Sequence, residues 1–165
     1  MQKRLAVAFT GPSNSGKTTL IEKVARRLIP DHSVAIVKND PKDKAVFDVE
    51  GKDSWKFFQT GAEVVVTSPT RTTYFSHRHK SIEEIVAMVK EFDYLLVEGL
   101  KTLPLPRIAV FRGSIDESYF PYSEAIAVDD TVDVASYSIP DVIDILDLND
   151  IEQIVGWIQS HAKAV

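Results

Sequence analysis

Residues 11–18 read Gly-Pro-Ser-Asn-Ser-Gly-Lys-Thr, and this string constrains the fold more than any other part of the chain. It is the pattern G-x-x-x-x-G-K-[ST] in full, which works only between a strand and a helix. The two glycines let the backbone curl so that successive N–H groups point inward at an anion, and the following helix adds its positive N-terminal dipole. Both flanks are present. Leu5-Ala6-Val7-Ala8-Phe9 is a short continuous apolar run of the kind buried on both faces of a parallel sheet. From Lys17 the period becomes helical, with Leu20, Val24 and Leu28 at i, i+4 and i+8 and Ile21 beside them, until Pro30 stops it. Val34-Ala35-Ile36-Val37 is a second buried run, so this first segment reads as a β-α-β unit with a right-handed crossover.

Beyond it, Asn39 to Asp53 is rich in Asp and Lys and nearly free of periodicity, and a short helix follows over roughly Ser54–Thr60. A polar stretch of that length beside a candidate site is a functional loop by expectation. Val64–Val66 and Thr72–Phe75 are β-rich and separated by Ser68-Pro69-Thr70, which reads as an antiparallel hairpin. Ser81 with Glu84 three residues on is a capping box ahead of the stripe Ile82, Ile85, Val86, Val89. Tyr94–Val97, Ile108–Phe111 and Ala125–Val128 are further strands, and Asp150–His161 is a last amphipathic helix. Strands alternating with helices give an α/β fold: a mostly parallel sheet flanked by helices, with an antiparallel hairpin portion near residues 62–77. The length of 165 residues predicts one domain, 1–165.

Composition closes off other classes. With 24 Asp+Glu against 19 Lys+Arg the formal charge is −5, so no global positive field exists to hold a nucleic-acid backbone. There is no cysteine, which excludes disulfides, thiolate metal sites and thiol nucleophiles. Apolar runs such as Leu5–Phe9 and Ile85–Val89 stop at five residues, far below the ~20 of a membrane span. Met1-Gln2-Lys3-Arg4 has the charge of a signal n-region, but the apolar stretch after it stops at Thr10-Gly11-Pro12 and lacks a small-residue cleavage site, so the chain reads as cytoplasmic, with no membrane partner.

The chemistry therefore rests on the glycine loop. Gly11, Ser13, Asn14, Ser15 and Gly16 form a phosphate cradle, Lys17 is placed to reach the β- and γ-phosphates, the Thr18 hydroxyl to ligand Mg²⁺, and Thr19 to add an α-phosphate contact. Such a site needs a carboxylate at the end of another parallel strand, and Glu98, directly after Tyr94–Val97, is the candidate; Asp40, at the end of the second strand, is a further one. Asp48 and Asp53 lie in the polar loop, and Lys52 and Lys101 are loop cations within the same reading. The four histidines form no metal-ligand spacing, and His77 and His79 read as solvated.

Taken together, the loop at 11–20, Val-Lys-Asn-Asp at 37–40, Gly-Lys-Asp-Ser at 51–54, Gly-Ala at 61–62 and Val-Glu-Gly-Leu-Lys at 97–101 resemble the MobB family, the molybdopterin-guanine dinucleotide biosynthesis protein B family, over roughly residues 3–112. The resemblance implies a small GTP-binding P-loop protein, homodimeric, that uses GTP and Mg²⁺ and assists a separate MobA-type guanylyltransferase in joining GMP to molybdopterin, with weak GTPase activity at most. It implies phosphate and Mg²⁺ binding by Gly16, Lys17, Thr18 and Thr19, a second-strand acid at Glu98, and a place for Asp53 in the Gly-Lys-Asp-Ser element. Members of the family commonly carry histidines after the lysine that ends the second strand, where this chain reads Lys38-Asn39-Asp40-Pro41-Lys42-Asp43. The N-K-x-D element by which many GTPases read guanine is absent, so guanine comes from the resemblance. The alternative from the residues themselves is a small-molecule kinase passing the γ-phosphoryl group to a substrate held by the 39–53 loop and Lys101. Arg71, Arg78, Arg107 and Arg112 are too scattered to read as a kinase lid, which favours the accessory role.

Overall fold

The apolar runs fold as the strands of one sheet. In the computed structural model, which describes residues 4–165, the elements in chain order are β1 (Leu5–Thr10), α1 (Lys17–Leu28), β2 (Val34–Lys38), α2 (Asp53–Phe58), β3 (Val64–Thr67), β4 (Thr72–Phe75), α3 (Ile82–Val89), β5 (Tyr94–Glu98), β6 (Arg107–Phe111), β7 (Ala125–Val128), β8 (Asp144–Asp147), α4 (Ile151–His161) and β9 (Lys163–Ala164). Most of the basic start, Met1 to Lys3, lies outside the described residues. The chain forms two compact units, Met1–Asn39 with Val89–Val165, and Asp40–Met88.

The first unit carries a seven-stranded sheet in the order β2-β5-β1-β6-β7-β8, with β9 added to the start of β1. Every pairing is parallel except β1 with β9. The β-α-β unit at the start forms, but β5 inserts between β1 and β2, which leaves β2 at the sheet edge: Val34, Ala35 and Val37 are half-buried and Ile36 is exposed, so this is not the buried run expected. Because β1 is central, Ala6 to Phe9 are fully buried on both faces. Leu20, Ile21, Val24 and Leu28 of α1 and Ile154, Val155 and Ile158 of α4 cover one face, packing on Val7, Phe9, Leu96, Ile108 and Val110. Each such fully buried aliphatic side chain contributes roughly 1.5–3 kcal/mol. On the other face Ala109, Phe111, Ile126 and Val128 pack against Ile115, Val132 and Ile143 from the irregular segments. Two elements have no counterpart in the sequence reading, β8 and β9. The helix α4 starts as its sequence requires: Asp150 caps it by accepting from the Gln153 N–H at 3.0 Å, and the Trp157 Nε1–H donates to Asp144 on β8 at 2.7 Å.

The second unit holds the hairpin. β3 and β4 pair antiparallel from Val64 opposite Phe75 to Thr67 opposite Thr72, as a sheet of their own. Glu63 ties its end together, accepting from the Tyr74 hydroxyl, from Ser76 Oγ at 3.1 Å and from Arg78 Nε at 3.2 Å. His77, read as solvated, is exposed and also stacks on Phe58 of α2, ring centroids 3.8 Å apart, with its Nε2 at the Phe58 carbonyl. The Ser81–Glu84 capping box forms reciprocally, at 2.8 and 3.3 Å. α2 begins at Asp53 and ends at Phe58, one residue earlier and two residues shorter at its end than the sequence reading.

Candidate functional site

The loop between β1 and α1 lies at the carboxyl end of the central strand, where ligands collect in open α/β sheets. Gly11 has φ +135°, and a Cβ there would fall 2.4 Å from the Val110 carbonyl oxygen of β6, so only glycine lets the loop lie this close to the neighbouring strand. Gly16, φ +97°, is the N-cap of α1. The Leu20 N–H donates back to Gly16 O at 2.9 Å, while among the described residues the N–H groups of Gly16, Lys17 and Thr18 find no acceptor in the protein. Those amides are what a helix N-terminus offers an anion. Ser15 is buried and its Oγ has no hydrogen-bond partner among the described residues, a second polar group without an internal use.

Lys17 Nζ donates to the carbonyls of Gly11 at 2.9 Å and Pro12 at 2.6 Å, which holds the ammonium over the loop. Desolvation pushes its pKa below the ordinary lysine value, Glu98 opposes that shift, and Lys38 adds to it. Glu98 closes β5 in one row with Phe9 of β1 and Lys38 of β2. Its side chain is largely buried and pairs with Lys38 Nζ at 3.2 Å. Ser13, Asn14, Thr18 and Thr19 are exposed on the loop and the first turn of α1. Thr18 and Glu98 are hard oxygen donors, the type Mg²⁺ takes together with phosphate oxygens and water. Among the described residues no group of three or more His, Cys, Asp or Glu could hold a metal alone, so this donor set fits a metal that arrives with phosphate.

The other expected residues have different surroundings. Asp40 and Asp53 belong to the second unit. There Asp40 Oδ2 accepts from the N–H groups of Lys44 and Ala45 at 2.8 and 2.6 Å, and Asp53 is the exposed first residue of α2. Lys101 sits in the loop after β5 with its Nζ 3.9 Å from the Tyr119 ring centroid. That loop is held by Arg107, fully buried at the start of β6, whose Nη2 donates to the Leu100 carbonyl at 2.8 Å and the Leu103 carbonyl at 3.3 Å.

Sequence reasoning passed over Arg112. It follows β6, the strand beside β1, and its guanidinium lies against Gly16 while its Nε pairs with Asp129 Oδ2 at 3.3 Å. The Thr131 hydroxyl and N–H hold the Asp129 carboxyl below its ordinary pKa, with Arg112 adding to the effect. Its place directly after an apolar run is legible in the chain, but that this run lies beside β1 is not.

A loop of this sequence, folded between a central parallel strand and a helix with a lysine and a neighbouring strand-end acid, defines a P-loop nucleotide-binding fold. The family model for molybdopterin guanine dinucleotide synthesis protein B matches residues 6–131, and the chain belongs to that family. It is 32% identical over 163 residues to the molybdopterin-guanine dinucleotide biosynthesis adapter protein of Haemophilus influenzae, covering 93% of this chain and 87% of that one. The crystal structure of a molybdopterin-guanine biosynthesis protein B superposes with a TM-score of 0.67 at 26% identity, over 94% of this chain and 99% of the other. The Bacillus subtilis MobB crystal structure, 21% identical, shares the fold with a TM-score of 0.76 over 96% of this chain and 98% of its own.

Proposed function

We propose that this chain is a GTP·Mg²⁺-binding accessory protein of molybdenum-cofactor biosynthesis, which supports a separate MobA-type guanylyltransferase in joining GMP to molybdopterin. The observation that carries the reading is the loop itself: unpartnered amides at the start of α1, Lys17 held on the loop by the Gly11 and Pro12 carbonyls, and Glu98 on the adjacent strand. Gly11 and Ser13 to Thr19 bind the phosphates, and Thr18 and Glu98 would hold Mg²⁺. When bound, Mg²⁺ neutralises charge on the β- and γ-phosphate oxygens. Lys17 binds and orients the same end of the triphosphate, and the loop amides fix the chain of phosphates in one register.

That arrangement also supports an accessory role rather than a transferase. Guanylyl transfer attacks the α-phosphate and expels pyrophosphate, so it needs an acceptor held in line with that bond. This loop instead concentrates its lysine at the β/γ end, where hydrolysis is at most slow. A second copy of the chain completes the proposed particle. The two-stranded sheet β3-β4 leaves both outer edges unpaired within its own sheet and exposes Val65 and Val66, and open edges of this kind pair with another strand.

Calorimetric titration with GTP, ATP and GDP, with and without Mg²⁺, tests the reading. Tightest binding of GTP with Mg²⁺, lost in Lys17→Ala, is the expected result; an unchanged dissociation constant in Lys17→Ala would sink the loop assignment. Molybdopterin and GTP·Mg²⁺ given to the purified chain should yield no dinucleotide without added guanylyltransferase. Product made by the chain alone, and lost in Lys17→Ala, would make it the enzyme instead.

A further inference from the structure

Phosphate loops end at a helix N-terminus whose amides are neutral dipoles, and in this chain a full positive charge stands beside them. A Cβ built on Gly16 would lie 3.3 Å from Arg112 Nε, 3.4 Å from Cζ and 3.6 Å from Nη2. The guanidinium therefore lies against the glycine that caps α1, at the opposite end of the loop from Gly11 and Pro12, whose carbonyls hold Lys17 Nζ. It arrives there because β6 is the neighbour of β1, so the residue after Phe111 emerges at the same sheet edge as the loop.

Asp129, which follows β7, holds the guanidinium by Nε at 3.3 Å. Asp129 is in turn fixed by Thr131, whose Oγ1 also accepts from the Gly113 N–H at 2.8 Å. The carboxylate occupies one nitrogen of a rigid fork that carries five N–H donors. Among the described residues no hydrogen bond to the protein uses the terminal amino groups, and the side chain is 48% exposed. An ion pair this open adds little to stability. A planar, oriented guanidinium with free donors beside three unpartnered amides is the geometry that recognises phosphate.

We propose that Arg112 is a phosphate-contacting residue of the nucleotide site, supplied by β6 and positioned by Asp129. Resting on the reading of the loop as a nucleotide site, the inference divides the phosphates between two cations. Lys17 serves the β/γ end, and Arg112, at the Gly16 end, serves the α- and β-phosphates that the amides there cradle. Removing Arg112 should thus weaken GTP and GDP by equal factors, whereas removing Lys17 should weaken GTP more than GDP.

The test is titration of the full chain with GTP and GDP in Mg²⁺, for the parent, Arg112→Ala, Arg112→Lys, Asp129→Asn and Lys17→Ala. The expected result is a loss of about tenfold to a hundredfold for both nucleotides in Arg112→Ala, the range of a charge-assisted hydrogen bond, with partial recovery in Arg112→Lys. Asp129→Asn should fall between Arg112→Ala and the parent. The nucleotide-free Arg112→Ala should melt within a few degrees of the parent, which a merely structural role would not allow; if it does not fold, Arg112→Gln takes its place. Binding of both nucleotides within about twofold of the parent in Arg112→Ala would overturn the proposal, as would a loss confined to GTP. If Lys17→Ala loses GTP while Arg112→Ala does not, this inference fails and the loop assignment stands; if the parent binds neither nucleotide, the loop assignment fails first.

Discussion

Replacing Gly11 by alanine probes the closest approach in the fold that serves the site. Two costs follow from the structure. At φ +135° an L side chain is strained, by roughly 1–3 kcal/mol. The new Cβ would also meet the Val110 carbonyl oxygen at 2.4 Å and Ser15 Oγ at 3.1 Å. Ser15 could give, but Val110 is fully buried in β6 and its backbone is part of the sheet, so the loop must move instead. Overpacking of this kind costs about 1–3 kcal/mol. The sum, about 2–6 kcal/mol, corresponds to a melting temperature roughly 5–20 °C lower for a chain of this size. Thermal denaturation followed by circular dichroism measures it, and calorimetry on the same variant should show weakened nucleotide binding because the displaced loop no longer presents its amides together. Gly156→Ala is the control, since Gly156 lies inside α4 with nothing within 4 Å of a Cβ, and it should stabilise the protein by about 0.5–1 kcal/mol. A Gly11→Ala protein that melts with the parent and binds GTP as tightly would refute the packing argument and the role given to the loop.

Lys17 should leave a mark on the pH dependence of stability. Its pKa is depressed in the folded protein, so between the folded value and 10.5 the unfolded chain binds more protons and stability rises with pH. Urea denaturation of parent and Lys17→Met in steps toward pH 10.5 should show that rise in the parent alone; parallel curves would contradict the desolvation argument. For assembly, Val65→Lys places a charge on an exposed strand of the hairpin and should convert a dimer of chains to single chains in sedimentation equilibrium. A dimer of unchanged strength in Val65→Lys would remove β3-β4 as the interface.

What the sequence discloses of the fold follows burial, with the edge strand at Val34–Val37, apolar but not buried, as the exception. Leu5–Phe9, Tyr94–Val97, Ile108–Phe111 and Ala125–Val128 are legible because interior parallel strands are apolar on both faces, and all four are central strands of the sheet. β8 escapes the same criterion. At the sheet edge it carries Asp144 and Asp147 around Ile145 and Leu146, of which only Leu146 is buried. β9 is two residues long and owes its existence to pairing with Leu5 and Ala6, which no local pattern announces. Helix starts are legible where a side chain caps them, as at Ser81 and Asp150. The loop residues of the site are local and so are written plainly; Glu98 needs only the end of a strand. Arg112 needs strand order as well, because nothing along the chain says that β6 lies beside β1. Arg107 is the opposite case, a charge at the head of an apolar run that looks solvated and is fully buried, its Nη2 donating to the carbonyls of the loop it holds while its Nε is left without a partner among the described residues.

The charges around the loop run against those of the whole chain, and this orders how a nucleotide and its metal can bind. The chain carries −5, yet Lys17, Lys38 and Arg112 gather at the loop against the two carboxylates Glu98 and Asp129, and the N-terminal dipole of α1 adds further positive potential. Both carboxylates are already paired, Glu98 with Lys38 and Asp129 with Arg112. A free divalent cation would meet repulsion from three cations and, among the described residues, no cluster of acids able to hold it. A polyphosphate reverses the balance, since its anionic oxygens satisfy the amides and cations and leave Glu98 and the Thr18 hydroxyl as donors to a metal already carried on the phosphates. Mg²⁺ titrated into the protein without nucleotide should therefore give no binding heat, while the same titration in the presence of GTP should saturate. A Mg²⁺ isotherm in the absence of nucleotide would mean that Glu98 is freed from Lys38 and that acids from elsewhere in the chain reach the loop before any phosphate does.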